Sequence, residues 1–176
     1  MGGVRIGGDE IIPNDISGKD LAGAQGEIMV SNFLYLLFNR GEYLLSNLIV
    51  VDDNGDRTEI DCVLVTRKGI FCIETKSWVC DIYGSNKSEF WKQVYLEKSM
   101  KPKLHKNPVK QNENHCEFLE KSLDFEYPVD NIVIFTKTDN FRFIQSKSVF
   151  TLKSFYECYN MLENDVLSTR NYKDRW

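Results

Sequence analysis

The sequence predicts an α/β domain: a mixed β-sheet flanked by α-helices. Two observations predict it. The periodic segments follow the order helix, three strands, helix, strand, strand, helix. One of these strands, Asn131 to Lys137, is a nearly continuous apolar run, the pattern of a central strand covered on both faces. Composition agrees, with 176 residues, 42% apolar and 27% charged, enough chain for one domain with a core.

Residues 1–17 are Gly-rich without a period and read as a flexible arm. Residues 18–165 form the single domain, and 166–176 a polar tail. A helix is expected to begin near Ser17, Lys19 or Asp20 and reach about Asn39, with Asp20 a suitable N-cap and Gly41 beyond its end. Ile28, Val30, Phe33, Leu34, Leu37 and Phe38 give it an apolar face broad enough for a packed helix.

Tyr43 to Val51 reads as a strand, followed by a turn whose strongest signal is Asn54-Gly55. Thr58 to Thr66 and Ile70 to Trp78 are the next strands. A short strand is expected over Asp81 to Ser85 and another over Phe90 to Leu96. Ser99 to Asn107 reads as a basic loop. Asn107 as cap and Pro108 in the first turn open a helix to about Leu123. Val149 to Leu152 is a weaker strand, and Ser154 to Glu163 a last helix.

The two runs around the Arg67-Lys68-Gly69 turn carry carboxylates where a sheet core favours hydrocarbon. Asp61 lies in the first, amid Ile60, Cys62, Val63 and Leu64. Burying it is costly without a partner or a metal. An exposed edge, or a salt bridge to Arg57 or Lys68, is the alternative. Glu74 and Lys76 share one strand face. They stand at its carboxyl end, where open α/β sheets bind ligands; a plain surface Glu–Lys face is the alternative. Glu27 shares the helix stripe of Val30, Leu34 and Phe38, although a Glu near a helix N-terminus is also favoured by the dipole. Gly23 and Gly26 beside it permit close approach of another backbone.

The net charge is −4, so no whole-surface attraction to nucleic acid is expected. One basic segment stands out: Lys92, Lys98, Lys101, Lys103, Lys106 and Lys110, interleaved with Trp91, Tyr95 and His105. It reads either as a phosphate track or as a solvated loop. The five cysteines are odd in number and have no C-x-x-C spacing, which argues against a zinc ribbon and a disulfide framework and for a reducing, cytoplasmic setting. No segment reads as a signal peptide or a membrane span. Walker, Rossmann and G-x-S-x-G motifs are missing, and the chain has two His.

Asp61 followed by Glu74-Thr75-Lys76 resembles the D…(D/E)xK motif of the PD-(D/E)xK nuclease superfamily. The ordered blocks Gly26-Glu27, Glu59-Ile60-Asp61, Gly69 to Trp78, Gly84, Trp91 and Asn107 to Asn112 resemble the nuclease-related (NERD) domain. The likeness covers about Gly18 to Leu123, with Asn131 to Lys137 as the later strand. The family often has His after the motif Asp, where this chain has Cys62, expected to face away from Asp61.

The resemblance implies a restriction-endonuclease-like core and convergence of Glu27, Asp61, Glu74, Lys76 and Gln111. It implies Mg²⁺ or Mn²⁺ held by Asp61, Glu74 and the Thr75 carbonyl, with Glu27 a ligand directly or through water. Lys76 would activate the attacking water, and Gln111 would orient that water or Lys76. The expected activity is phosphodiester hydrolysis, on DNA in preference to RNA, with no membrane partner. A homodimer would suit the cutting of two strands. The alternative is a catalytically weak or inactive nuclease-fold module for nucleic-acid binding or protein interaction.

Overall fold

The computed structural model describes residues 18–37, 43–97, 99–123 and 128–162. The expected arm over 1–17, the tail over 166–176, the expected helix ends at Asn39 and Glu163, and Lys98 all lie outside them. The elements are α1 (Gly18–Leu37), β1 (Tyr43–Val51), β2 (Arg57–Thr66), β3 (Gly69–Lys76), β4 (Asp81–Tyr83), β5 (Phe90–Val94), β6 (Lys103–Lys106), α2 (Pro108–Leu123), β7 (Val129–Phe135), β8 (Phe141–Arg142), β9 (Val149–Thr151) and α3 (Leu152–Met161).

The mixed sheet is five-stranded, in the order β1-β2-β3-β7-β9. β1, β2 and β3 are antiparallel neighbours, while β7 and β9 run parallel to β3. One face carries Cys62, Leu64, Phe71, Ile73, Ile132 and Ile134, covered by Val30 and Leu34 of α1 and by Phe155 and Tyr159 of α3. On the other face Val63, Ile70 and Cys72 pack against Cys116 and Leu119 of α2. Helices on both faces explain why β3 is buried from Gly69 to Thr75.

A second sheet, β6-β5-β4-β8, was expected only in part. Lys103–Lys106 is a strand rather than loop, pairing from Phe90↔Lys106 to Gln93↔Lys103. Its own residues carry little strand signal; the partner β5 makes it a strand. Lysine is a common residue on such edges because it discourages further pairing. β8 is two residues long and also escaped the sequence reading. Trp91 joins the sheets, fully buried and stacked on Phe135 of β7 with ring centroids 6.4 Å apart. Gly84 makes room for that ring, since a Cβ there would lie 2.5 Å from it.

α2 is held at two places. Asn107 caps it, its Oδ1 accepting from the Val109 N–H at 3.0 Å while its Nδ2 donates to the Ser88 carbonyl at 2.8 Å. Asn112, fully buried, donates to the Cys72 and Ile132 carbonyls at 2.8 and 3.1 Å. This clamps the helix across β3 and β7, which fixes its neighbour Gln111 above the end of β3.

Candidate functional site

The site begins with a break in strand regularity. Leu48, Val50 and Ile60 pack on the α2 side, whereas Leu44, Cys62 and Leu64 pack on the α1 side. A period of two would put Leu44 on the same face as Leu48 and Val50, and Ile60 on the same face as Cys62 and Leu64. The switch falls at Asn47, whose φ is 51°, and at Asp61 on the neighbouring strand. The β2–β3 ladder ends beside it, at Cys62↔Ile73. Asp61 fills the opening, its Oδ2 accepting the Thr75 N–H at 2.7 Å. It is thus neither on an exposed edge nor paired with Lys68, whose Nζ donates to the Tyr159 carbonyl at 2.8 Å.

Glu74 is 4% exposed. Its Oε1 accepts from Lys76 Nζ and, at 2.9 Å, from Gln111 Nε2. Gln111 Oε1 lies 3.4 Å from the same ammonium, closing a three-residue ring between β3 and α2. Glu74, Lys76 and Gln111 were each singled out in the sequence, and the structure brings them into direct contact.

Glu27 approaches from α1. Its Oε1 lies 4.0 Å from where a Cβ on Gly23 would sit. Gly26 lets α1 come down on Ser77, whose Oγ is 2.0 Å from the position of an added Cβ. Glu27, Asp61, Glu74, Thr75 and Lys76 line one cavity of about 380 Å³, completed by Trp78, Gln93, Tyr95, Lys103 and His105.

Charge is crowded here. Burial, reinforced by the nearby Glu74 carboxylate, pushes Asp61 up to about 7, against the opposing Thr75 N–H and Lys76. Glu27 is raised by burial first and then by Asp61 and Glu59. Thr75 Oγ1 is buried and finds no hydrogen-bond partner. A ligand or water in the adjoining cavity could satisfy it.

Among the described residues no group of three or more His, Cys, Asp or Glu is gathered to hold a metal. Two carboxylates are nonetheless a donor set that suits Mg²⁺, which commonly binds through one or two of them together with water and substrate phosphate. The oxygens fit the cation's chemistry, while Glu74 is already engaged by Lys76 and Gln111.

Of the six lysines of the basic segment, only Lys103 lines this cavity among the described residues. Leu104 and Lys106 alternate to the other face of β6 from Lys103 and His105. Lys110 Nζ reaches the Lys87 carbonyl at 3.1 Å, and Lys92 and Lys101 are exposed outside the cavity. Lys98 is outside the described residues.

His115 was not among the candidate site residues read from the sequence. It stands one turn after Gln111, with Nε2 3.7 Å from Glu74 Oε2 and Nδ1 2.6 Å from Thr58 Oγ1. The i, i+4 spacing from Gln111 was the available signal. Burial, then Lys76, lowers its pKa, which favours its neutral form. His105 was noted only as an aromatic within the lysines. It stacks on Trp78 at 4.0 Å and 22°, and burial, then Lys103, lowers it to about 4. Cys62 packs into the α1-side core, with Sγ 3.5 Å from Ser46 Oγ.

No helix among the described residues is long and apolar enough to cross a membrane. The family profile described as "Nuclease-related domain" (NERD) matches residues 22–136. An uncharacterized protein of Bacillus anthracis is 32% identical over 114 residues, covering 64% of this chain and 52% of that protein. The chain therefore spans about half the length of the curated relative it matches.

Proposed function

The chain belongs to the nuclease-related domain family, and from that premise we propose that the cavity at the carboxyl end of β3, beside Asp61 of β2, binds nucleic acid, DNA in preference to RNA, with little or no turnover. The observation that supports this reading is Glu74. Lys76 and Gln111 both donate to its Oε1, so one oxygen of the carboxylate nearest the lysine is already taken by protein donors. Binding itself needs only the ammonium of Lys76, the nearby Lys103 and a cavity to receive a phosphate or sugar.

A second reading, metal-assisted phosphodiester hydrolysis, is favoured by the presence of Glu27, Asp61, Glu74, Thr75 and Lys76 at one cavity. Asp61, Glu74 and the Thr75 carbonyl would hold Mg²⁺ or Mn²⁺, which supplies Lewis-acid polarisation of the phosphate. In this reading Lys76 leaves Glu74 and orients the attacking water, and Gln111 then holds the ammonium in place. Glu27 from α1 would be a further ligand, directly or through water.

The full chain is incubated with labelled single-stranded and duplex DNA, with Mg²⁺ or Mn²⁺, while bound fraction and product are followed together. The expected outcome is retained, intact DNA. Cleavage that disappears in Asp61→Ala would establish hydrolysis instead. Absence of both binding and cleavage would remove both readings.

A further inference from the structure

The cavity has a wall that the carboxylates and Lys76 do not use. Trp78 stands two residues beyond Lys76, and Lys76 Nζ lies 6.0 Å from its ring centroid. His105 from β6 stacks on that ring at 4.0 Å and 22°. The pair is held rigidly. Gln93, 4% exposed, donates from Nε2 to the Val79 carbonyl at 2.9 Å. That orientation leaves its Oε1 to accept from His105 Nε2 at 3.0 Å and from the Tyr95 hydroxyl at 3.2 Å. Trp78 also meets Phe135 edge-on at 5.5 Å, which anchors it to the main sheet. The result is an oriented aromatic surface, with a lysine beside it, in the same cavity as the Asp61–Glu74–Lys76 centre.

Nucleobases stack on aromatic side chains whatever their identity, because every base has a π-face, and cationic side chains track the connecting phosphates. A base inside a duplex has both faces covered by its neighbours and cannot offer one to a side chain without unstacking. The geometry points to a nucleobase subsite on the Trp78–His105 wall, with Lys103 on the adjoining phosphate, that selects single-stranded over duplex nucleic acid. This inference rests on the nucleic-acid reading given above. It adds the substrate class, and it gives the second sheet a role, since β5 and β6 supply Gln93, Lys103 and His105.

The test is fluorescence anisotropy of the full chain with a labelled single-stranded oligonucleotide and with the duplex of the same sequence. The parent is expected to bind the single strand about tenfold more tightly or better. His105→Ala and Trp78→Ala should each weaken single-strand binding by about fivefold to a hundredfold, on the scale of one lost stack, and weaken duplex binding by much less. Trp78→Phe should restore most of the loss. Lys106→Ala, on the other face of β6, should change neither. Because Trp78→Ala also removes packing on Phe135, a second readout uses 2-aminopurine in the oligonucleotide, quenched on binding to the parent and not to His105→Ala. Equal preference for the two substrates, or equal losses on both in the variants, would overturn the subsite while leaving the nucleic-acid reading in place. Binding of neither substrate would instead fail that reading itself.

Discussion

Asp61 carries a burden that its neighbours do not. It is half-buried beside a second carboxylate, and its pKa is raised from 3.8 to about 7. Between those values the folded chain holds a proton that the unfolded chain has released. Stability contributed by this group is therefore greatest near pH 4 and declines as pH rises to 7, levelling off above it. Asp61→Asn keeps an acceptor for the Thr75 N–H and removes the titration. In divalent-free buffer the Tm of the variant is expected to gain on the parent steadily from pH 4 to 7. A constant difference across that interval would contradict the assignment. Asp61, Glu74 and Lys76 were legible in the sequence because ionisable residues interrupt apolar strands. His115 was not, since its i, i+4 spacing from Gln111 marks it only once Gln111 has been placed against Glu74. Gln111 was named from family resemblance, and its contact with Glu74 gives it a physical place.

At the scale of elements, the site depends on how closely α1 approaches β3. Gly26 sets that distance. Gly26→Ala gains helix propensity of up to about 1 kcal/mol, but its Cβ would sit 2.0 Å from Ser77 Oγ and 3.4 Å from Thr136 Oγ1. The clash should win, with a net loss of about 1–3 kcal/mol in chemical denaturation. Gly26→Ala with Ser77→Ala should recover part of it, after the Ser77–Thr136 hydrogen bond has been given up. Full stability in the single variant would mean that α1 sits farther out. The three helices and the strands of the main sheet were readable from period, but capping placed only the start of α2: Asp20 lies inside α1, and Thr151, not a residue near Ser154, caps α3. β6 and β8 were not, because four and two residues carry no usable period and their structure comes from their partners. The Asn107 cap was readable; its grip on the loop around Ser88 was not, since nothing local in the sequence specifies it.

The molecule as a whole is acidic, with a net charge of −4. Long-range attraction to a polyanion is weak, so affinity must come from short-range contacts inside the cavity. Two cations are placed for that role, Lys76 and Lys103. Dispersal of the other described lysines of the basic segment over other surfaces could not be read from a linear run, because alternation along β6 sends successive residues to opposite faces. The second sheet changed the picture most. Sequence reasoning reached one sheet with a metal-and-lysine end, and the structure adds a facing wall of aromatic and polar side chains. Binding of nucleic acid at this cavity through Lys76 is tested by the salt dependence of single-stranded oligonucleotide binding by the parent and by Lys76→Met. Two phosphate contacts predict a slope of log affinity against log salt of about −1.4 for the parent. Lys76→Met should bind more weakly with a slope shallower by about 0.7. Equal affinity and equal slope in the two proteins would contradict the claim.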